Sequence, residues 1–163
     1  MKKRTAKLLL PALLAVSASG AHAAPLKVYT DLSDFSYLAE RIGGDRVRAE
    51  HLVSPSRNPH FQEPKPSFIA KLNKADLLIE AGLELTKAWL QPVVEQARNR
   101  EILPGGRRHA YAWPGIEIMD VPDRKVTRFE GDVHPAGNPH YNYDPQAMLK
   151  VSENIKNALS ATD

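Results

Sequence analysis

The chain has 163 residues, with 22 basic and 19 acidic side chains, a formal net charge of +3 and a pI of about 9.2. It has no cysteine, which excludes a disulfide framework, thiolate metal ligands and a lipid-modified cysteine. Lys2, Lys3, Arg4 and Lys7 all lie in the first 23 residues, which leaves 18 basic against 19 acidic residues in the remainder, so the basic pI gives no reason to expect a nucleic-acid partner.

Those four cations precede the apolar run Leu8 to Val16 and the small-residue stretch ending Ala21-His22-Ala23. That order reads as a secretory signal peptide over residues 1–23, cut after Ala23. No later segment approaches the roughly 20 consecutive apolar residues of a membrane span, so no membrane insertion of the mature chain is expected. Residues 24–163 suffice for one domain with its own core.

Leu26 to Thr30 reads as a buried strand, followed by a helix with Phe35, Leu38, Ala39 and Ile42 at helical spacing, Asp31 or Ser33 as its cap, and Gly43-Gly44 as its end. Val47 to Val53 is a second strand. Ser54 to Pro66 is a loop without hydrophobic period, Ser67 to Ala75 a short helix and Asp76 to Ala81 a third strand. Leu85 to Arg98 reads as a helix interrupted by Pro92, and the stretch around His109 to Trp113 as a fourth strand. After a long polar connection, Asp144 caps a last helix with Pro145 at its first position and Met148, Val151, Ile155 and Leu159 along one face. Alternating strands and helices predict an α/β fold, an open parallel sheet with helices on both faces. Ligands of such sheets bind beyond the carboxyl ends of the strands.

Two loops of that kind carry one tripeptide, Asn58-Pro59-His60 and Asn138-Pro139-His140. Proline fixes its own φ and restricts the preceding residue, so each imidazole is presented from a stiff mount. Neutral imidazole is the commonest metal-ligating side chain, which makes His60 and His140 candidate ligands of one ion. His134 is a third candidate, set against the commoner role of a loop histidine bonded to backbone or water. His51, on a strand face with Ala49 and Val53, reads as structural, and His109 follows the cations Arg107 and Arg108, which oppose metal binding. Glu63 and Asp132 are the nearest acids that could orient an imidazole, while caps and solvated loop charges are their more frequent roles. Trp89 and Trp113 read as core residues, and Tyr141 and Tyr143 as cleft-lining candidates.

The run Asn58 to Ser67, together with Gly131 to Pro145, resembles the zinc and manganese solute-binding proteins of bacterial ABC metal importers, a likeness that extends to Gly43-Gly44-Asp45, Lys74-Ala75-Asp76 and Gly82 through Leu90. The resemblance implies one amino-terminal lobe, residues 24–163, of a normally two-lobed periplasmic protein, with His60 and His140 as this lobe's ligands. It further implies that the other ligands lie in a second lobe absent from these 163 residues, and that the partner is a membrane permease. Tyr141-Asn142-Tyr143 departs from the Trp-Leu pair common before Asp-Pro in that family. Zinc is the expected ion, because two imidazoles favour it, with manganese as the alternative. Two rival readings are a non-functional fragment of such a protein and a zinc-dependent hydrolase. The hydrolase is disfavoured because the chain has neither a His-Glu-x-x-His helix nor a Gly-x-Ser-x-Gly elbow.

Overall fold

The computed structural model describes residues 24–126 and 133–163. The expected signal segment 1–23 and Asp132 lie outside the described residues.

The elements run β1 (Leu26–Thr30), α1 (Ser33–Gly43), β2 (Val47–His51), α2 (Pro66–Asn73), β3 (Leu77–Glu80), α3 (Lys87–Gln96), β4 (His109–Tyr111) and α4 (Pro145–Thr162). All three strand pairings are parallel and the sheet order is β2-β1-β3-β4. A right-handed crossover places its helix on one face when the chain moves one way along the sheet and on the other face when it moves back. The step from β1 to β2 therefore puts α1 opposite α2 and α3, which belong to the return steps.

The strands carry this division residue by residue. Successive side chains of a strand point to opposite faces. Val28, Leu77 and Ile79 accordingly join Phe35 and Ala39 of α1 and Val151, Ile155 and Leu159 of α4 in one core. Tyr29 and Leu78 join Phe68 and Leu72 of α2 and Leu90, Val93 and Val94 of α3 in the other. Each fully buried Leu, Ile or Phe contributes roughly 1.5–3 kcal/mol from burial. These two cores make the sheet a rigid base for the loops at its carboxyl edge.

Helix α4 begins as its sequence predicts, with Pro145 in the first turn and Asp144 Oδ1 accepting from Gln146 N at 2.9 Å. Pro92 does not interrupt α3, which continues through it to Gln96. Only the bond from residue 92 to the carbonyl of Ala88 is lost, and Ala88 is exposed, so water can satisfy that oxygen. Strand β2 stops at His51 rather than Val53. Leu52 N and Val53 N instead donate to Thr30 O at 2.8 Å and Asp31 O at 3.1 Å, turning the chain over the end of β1. The residue before α1 is Leu32, and no side chain caps that helix. Asp31 is fully buried instead.

Candidate metal centre

The chain leaves β2 on one edge of the sheet and β4 on the opposite edge. Both exits are at the carboxyl end, and the loops they open carry His60 on one side and His134 and His140 on the other. Between the strands lies the point where the connections reverse direction, the usual place for a ligand in an open α/β sheet.

The first mount is a short 3-10 turn, Pro59–Phe61. Asn58 Oδ1 accepts from His60 N at 3.0 Å and meets His60 Nδ1 at 2.9 Å. Trp89 of α3, buried against Phe68, donates its Nε1 hydrogen to Pro59 O at 2.8 Å. Trp89 is thus a core residue, as expected, and also the tether of the His60 turn. Burying an indole normally requires a partner for its N–H, and here that partner belongs to the loop.

The second mount repeats the local bond, with Asn138 Oδ1 accepting from His140 N at 3.0 Å. Asn138 Nδ2 donates to Asp120 Oδ2 at 3.0 Å, and Asn138 N donates to Met119 O at 2.8 Å. The residue after the histidine enters the core. Tyr141 is 8% exposed, its ring stacks on Phe35 with centroids 6.4 Å apart, and its hydroxyl donates to Ala81 O at 2.8 Å. Burial raises its hydroxyl pKa far above the ordinary tyrosine value, with the nearby Asp31 charge adding to that. Asn142 Nδ2 ties the same turn to Asp34 Oδ2 of α1 at 2.9 Å.

These supports hold His60 and His140, and His134 joins them, all three half-buried, with one ring nitrogen from each lying within 4.8 Å of the others. His60 Nε2 and His134 Nε2 are 2.9 Å apart. Ring centroids are separated by 5.0 Å for His60 and His134, 5.2 Å for His60 and His140, and 6.4 Å for His134 and His140. Three imidazole nitrogens so placed are a donor set suited to a divalent transition metal. Beside them a cleft of about 250 Å³ is lined by Leu32, Val53, Pro59, His140 and Tyr143.

His51 and His109 are engaged elsewhere. His51 Nδ1 bonds Ser36 Oγ at 3.2 Å, and His109 Nε2 pairs with Glu80 Oε1 at 2.8 Å. Glu63 is exposed, and the acceptor that meets the His60 ring is Asn58, which the sequence reading passed over. Its signal was available in the Asx-turn habit of Asn. Tyr143 is 82% exposed, whereas Tyr141 is a core residue rather than a cleft wall.

Asp31 was also missed as a structural hub. Its carboxylate accepts from Leu32 N at 2.8 Å, Ala81 N at 2.9 Å and Thr86 Oγ1 at 3.0 Å. Burial first and the Glu80 charge second push its pKa up to about 7, against the opposing pull of those three donors. Ala81 thereby links Asp31 on one side to the Tyr141 hydroxyl on the other. Val53 N, at the start of the His60 loop, bonds Asp31 O.

The profile of the family described as "ZnuA: Zinc-uptake complex component A periplasmic" matches residues 28–163. The metal ABC transporter substrate-binding lipoprotein FimA of Streptococcus parasanguinis is 33% identical over 150 residues, covering 90% of this chain and 45% of that protein. Among solved structures, the Mn-bound periplasmic metal binding protein of Candidatus Liberibacter asiaticus superposes with a TM-score of 0.65 at 25% identity, covering 85% of this chain and 46% of that one. A zinc-bound deletion mutant of ZnuA gives 0.66 at 24% identity, covering 85% and 47%. The chain spans less than half the length of the relatives it matches. Its open parallel sheet with helices on both faces is the fold these structures share, and its relatives are binding proteins of importers rather than enzymes. With a profile match over nearly all of its described residues, the chain belongs to the family of periplasmic zinc-uptake complex component A proteins.

Proposed function

We propose that this chain is the amino-terminal metal-capturing lobe of a periplasmic solute-binding protein, and that it presents a divalent ion to the membrane permease of an ABC importer. The observation that carries the proposal is the convergence of His60, His134 and His140 within 4.8 Å. Export by the segment ending at Ala23 agrees with the periplasmic family description, and no helix of the described residues is long and apolar enough to cross a membrane.

Zinc is the proposed ion. Imidazole nitrogen suits zinc, whereas manganese favours sites richer in oxygen. The three-residue cluster contains no carboxylate. Relatives of both kinds exist, one solved with manganese and one with zinc.

Calorimetric titration of the chain with zinc and with manganese tests the reading. One zinc per chain should bind, more tightly than manganese, with His134→Ala weakening zinc by about tenfold and His51→Ala and His109→Ala leaving it unchanged. Equal zinc affinity in His60→Ala, His140→Ala and the unaltered chain would overturn the assignment. Amino-terminal sequencing of exported material should begin at Ala24.

A further inference from the structure

The two Asn-Pro-His mounts contain an asparagine whose role goes beyond holding the turn. The His60 backbone N–H is an obligatory donor. The Asn58 atom 3.0 Å from it is therefore the side-chain carbonyl oxygen, which removes the usual ambiguity between amide oxygen and nitrogen. That same oxygen lies 2.9 Å from His60 Nδ1. An oxygen acceptor requires a donor opposite it, so Nδ1 carries the proton. In a neutral imidazole the lone pair then sits on Nε2. It is Nε2 that faces the cluster, 2.9 Å from His134 Nε2.

We infer that Asn58 is a positioning residue that holds His60 in its Nδ1–H tautomer, so that Nε2 is the atom offered to the metal. The inference rests on the proposed metal site. A ring N–H held by a fixed acceptor cannot rotate without losing that bond, so Asn58 sets ring orientation as well as tautomer. It also assigns the neighbouring contact. With a lone pair on His60 Nε2, the hydrogen between the two rings belongs to His134 Nε2, so His60 and His134 carry their protons on different nitrogens before metal enters. An ion taking that place would require His134 to tautomerise, its Nε2 proton passing to solvent as Nδ1 takes one up, while His60 is already in its ligating form.

Two variants separate the ring bond from the turn. Asn58→Asp keeps an oxygen that can accept from both the backbone and the ring. Asn58→Ser has a shorter side chain that can still cap its own turn through the hydroxyl but does not extend to Nδ1. Long-range nitrogen–proton NMR correlations on the metal-free chain read the tautomer directly, and zinc titration follows on the same samples. The unaltered chain and Asn58→Asp should show a protonated-type shift at His60 Nδ1 and a lone-pair-type shift at Nε2. Asn58→Ser should show mixed tautomers and bind zinc about 10- to 100-fold more weakly, the usual loss when a partner of a ligating histidine is removed. A lone-pair-type Nδ1 in the unaltered chain overturns the inference, as does an Asn58→Ser variant that keeps both the tautomer and the zinc affinity. The expected tautomer in a chain that binds no zinc supports the positioning role and overturns the metal reading, so the two failures are distinguishable.

Discussion

The loops bearing Asn58-Pro59-His60 and Asn138-Pro139-His140 are locally alike and globally different. In both, the asparagine oxygen accepts from the histidine N–H at 3.0 Å. Beyond that bond they part. His60 stands on an exposed loop that Trp89 holds by one carbonyl, whereas His140 is followed directly by Tyr141, which is buried between Phe35 and Ala81. An identical tripeptide therefore makes the same bond from His N–H to Asn oxygen, although the 3-10 turn includes His60 at one mount and begins after His140 at the other. The two also differ in how firmly the rest of the molecule grips them. The His140 mount is part of the core, and the His60 mount is clamped to it.

The largest expected effect is shared by both mounts. His60→Ala or His140→Ala should each lower zinc affinity by at least about 100-fold, more than removing an orienting partner does. The double variant should be little worse than either single one, because a site that has lost one ligand has little left to lose. Calorimetry at neutral pH measures all three. Unequal losses would show that one mount serves the ion without the other.

Stability should then distinguish them. Tyr141→Phe removes the hydroxyl and leaves the buried Ala81 carbonyl unsatisfied, a loss of about 2 kcal/mol. Trp89→Phe frees Pro59 O, which is half-buried and within reach of water, so the lost bond costs about 1 kcal/mol, and the smaller ring adds a cavity cost in the core. Urea denaturation followed by circular dichroism measures both losses. A Tyr141→Phe variant as stable as the unaltered chain would overturn the assignment of that mount to the core.

The smallest effect is a slope with pH. Because the folded-state pKa of Asp31 is raised to about 7, the native chain holds a proton that the unfolded chain releases near pH 4. This contribution favours folding fully below about pH 4 and is lost as pH rises through about 7. Zinc binding should run the other way, weakening below about pH 6.5, where unperturbed imidazoles become protonated. Chemical denaturation of the metal-free chain between pH 5 and 8 should show the Asp31 slope, and Asp31→Asn, although destabilised, should lose it. An unchanged slope in that variant would assign the effect to another group.

Much of the fold was legible because its signals are periodic. Phe35 and Ala39, or Val151, Ile155 and Leu159, recur at helical spacing, and a helix that must bury one stripe has little choice of face. The parallel sheet followed from strands alternating with helices. Element ends were less legible. Leu52 and Val53 are β-branched or apolar like a strand, yet they turn over β1 because their N–H groups find Thr30 and Asp31.

By itself the sequence determined the strands, the capped last helix and the two stiff mounts, since each depends on residues only a few positions apart, whereas the strand order depends on pairings between distant segments. His60 and His140 stood out for the same reason. Tertiary structure alone decided that His134 reaches within 2.9 Å of His60 across 74 positions of chain. It alone turned Asp31 from an expected cap into a buried hub and made Trp89 a tether. Those outcomes depend on which carbonyl or imidazole lies opposite a given donor after the loops from opposite sheet edges have met, and no local pattern encodes that partner.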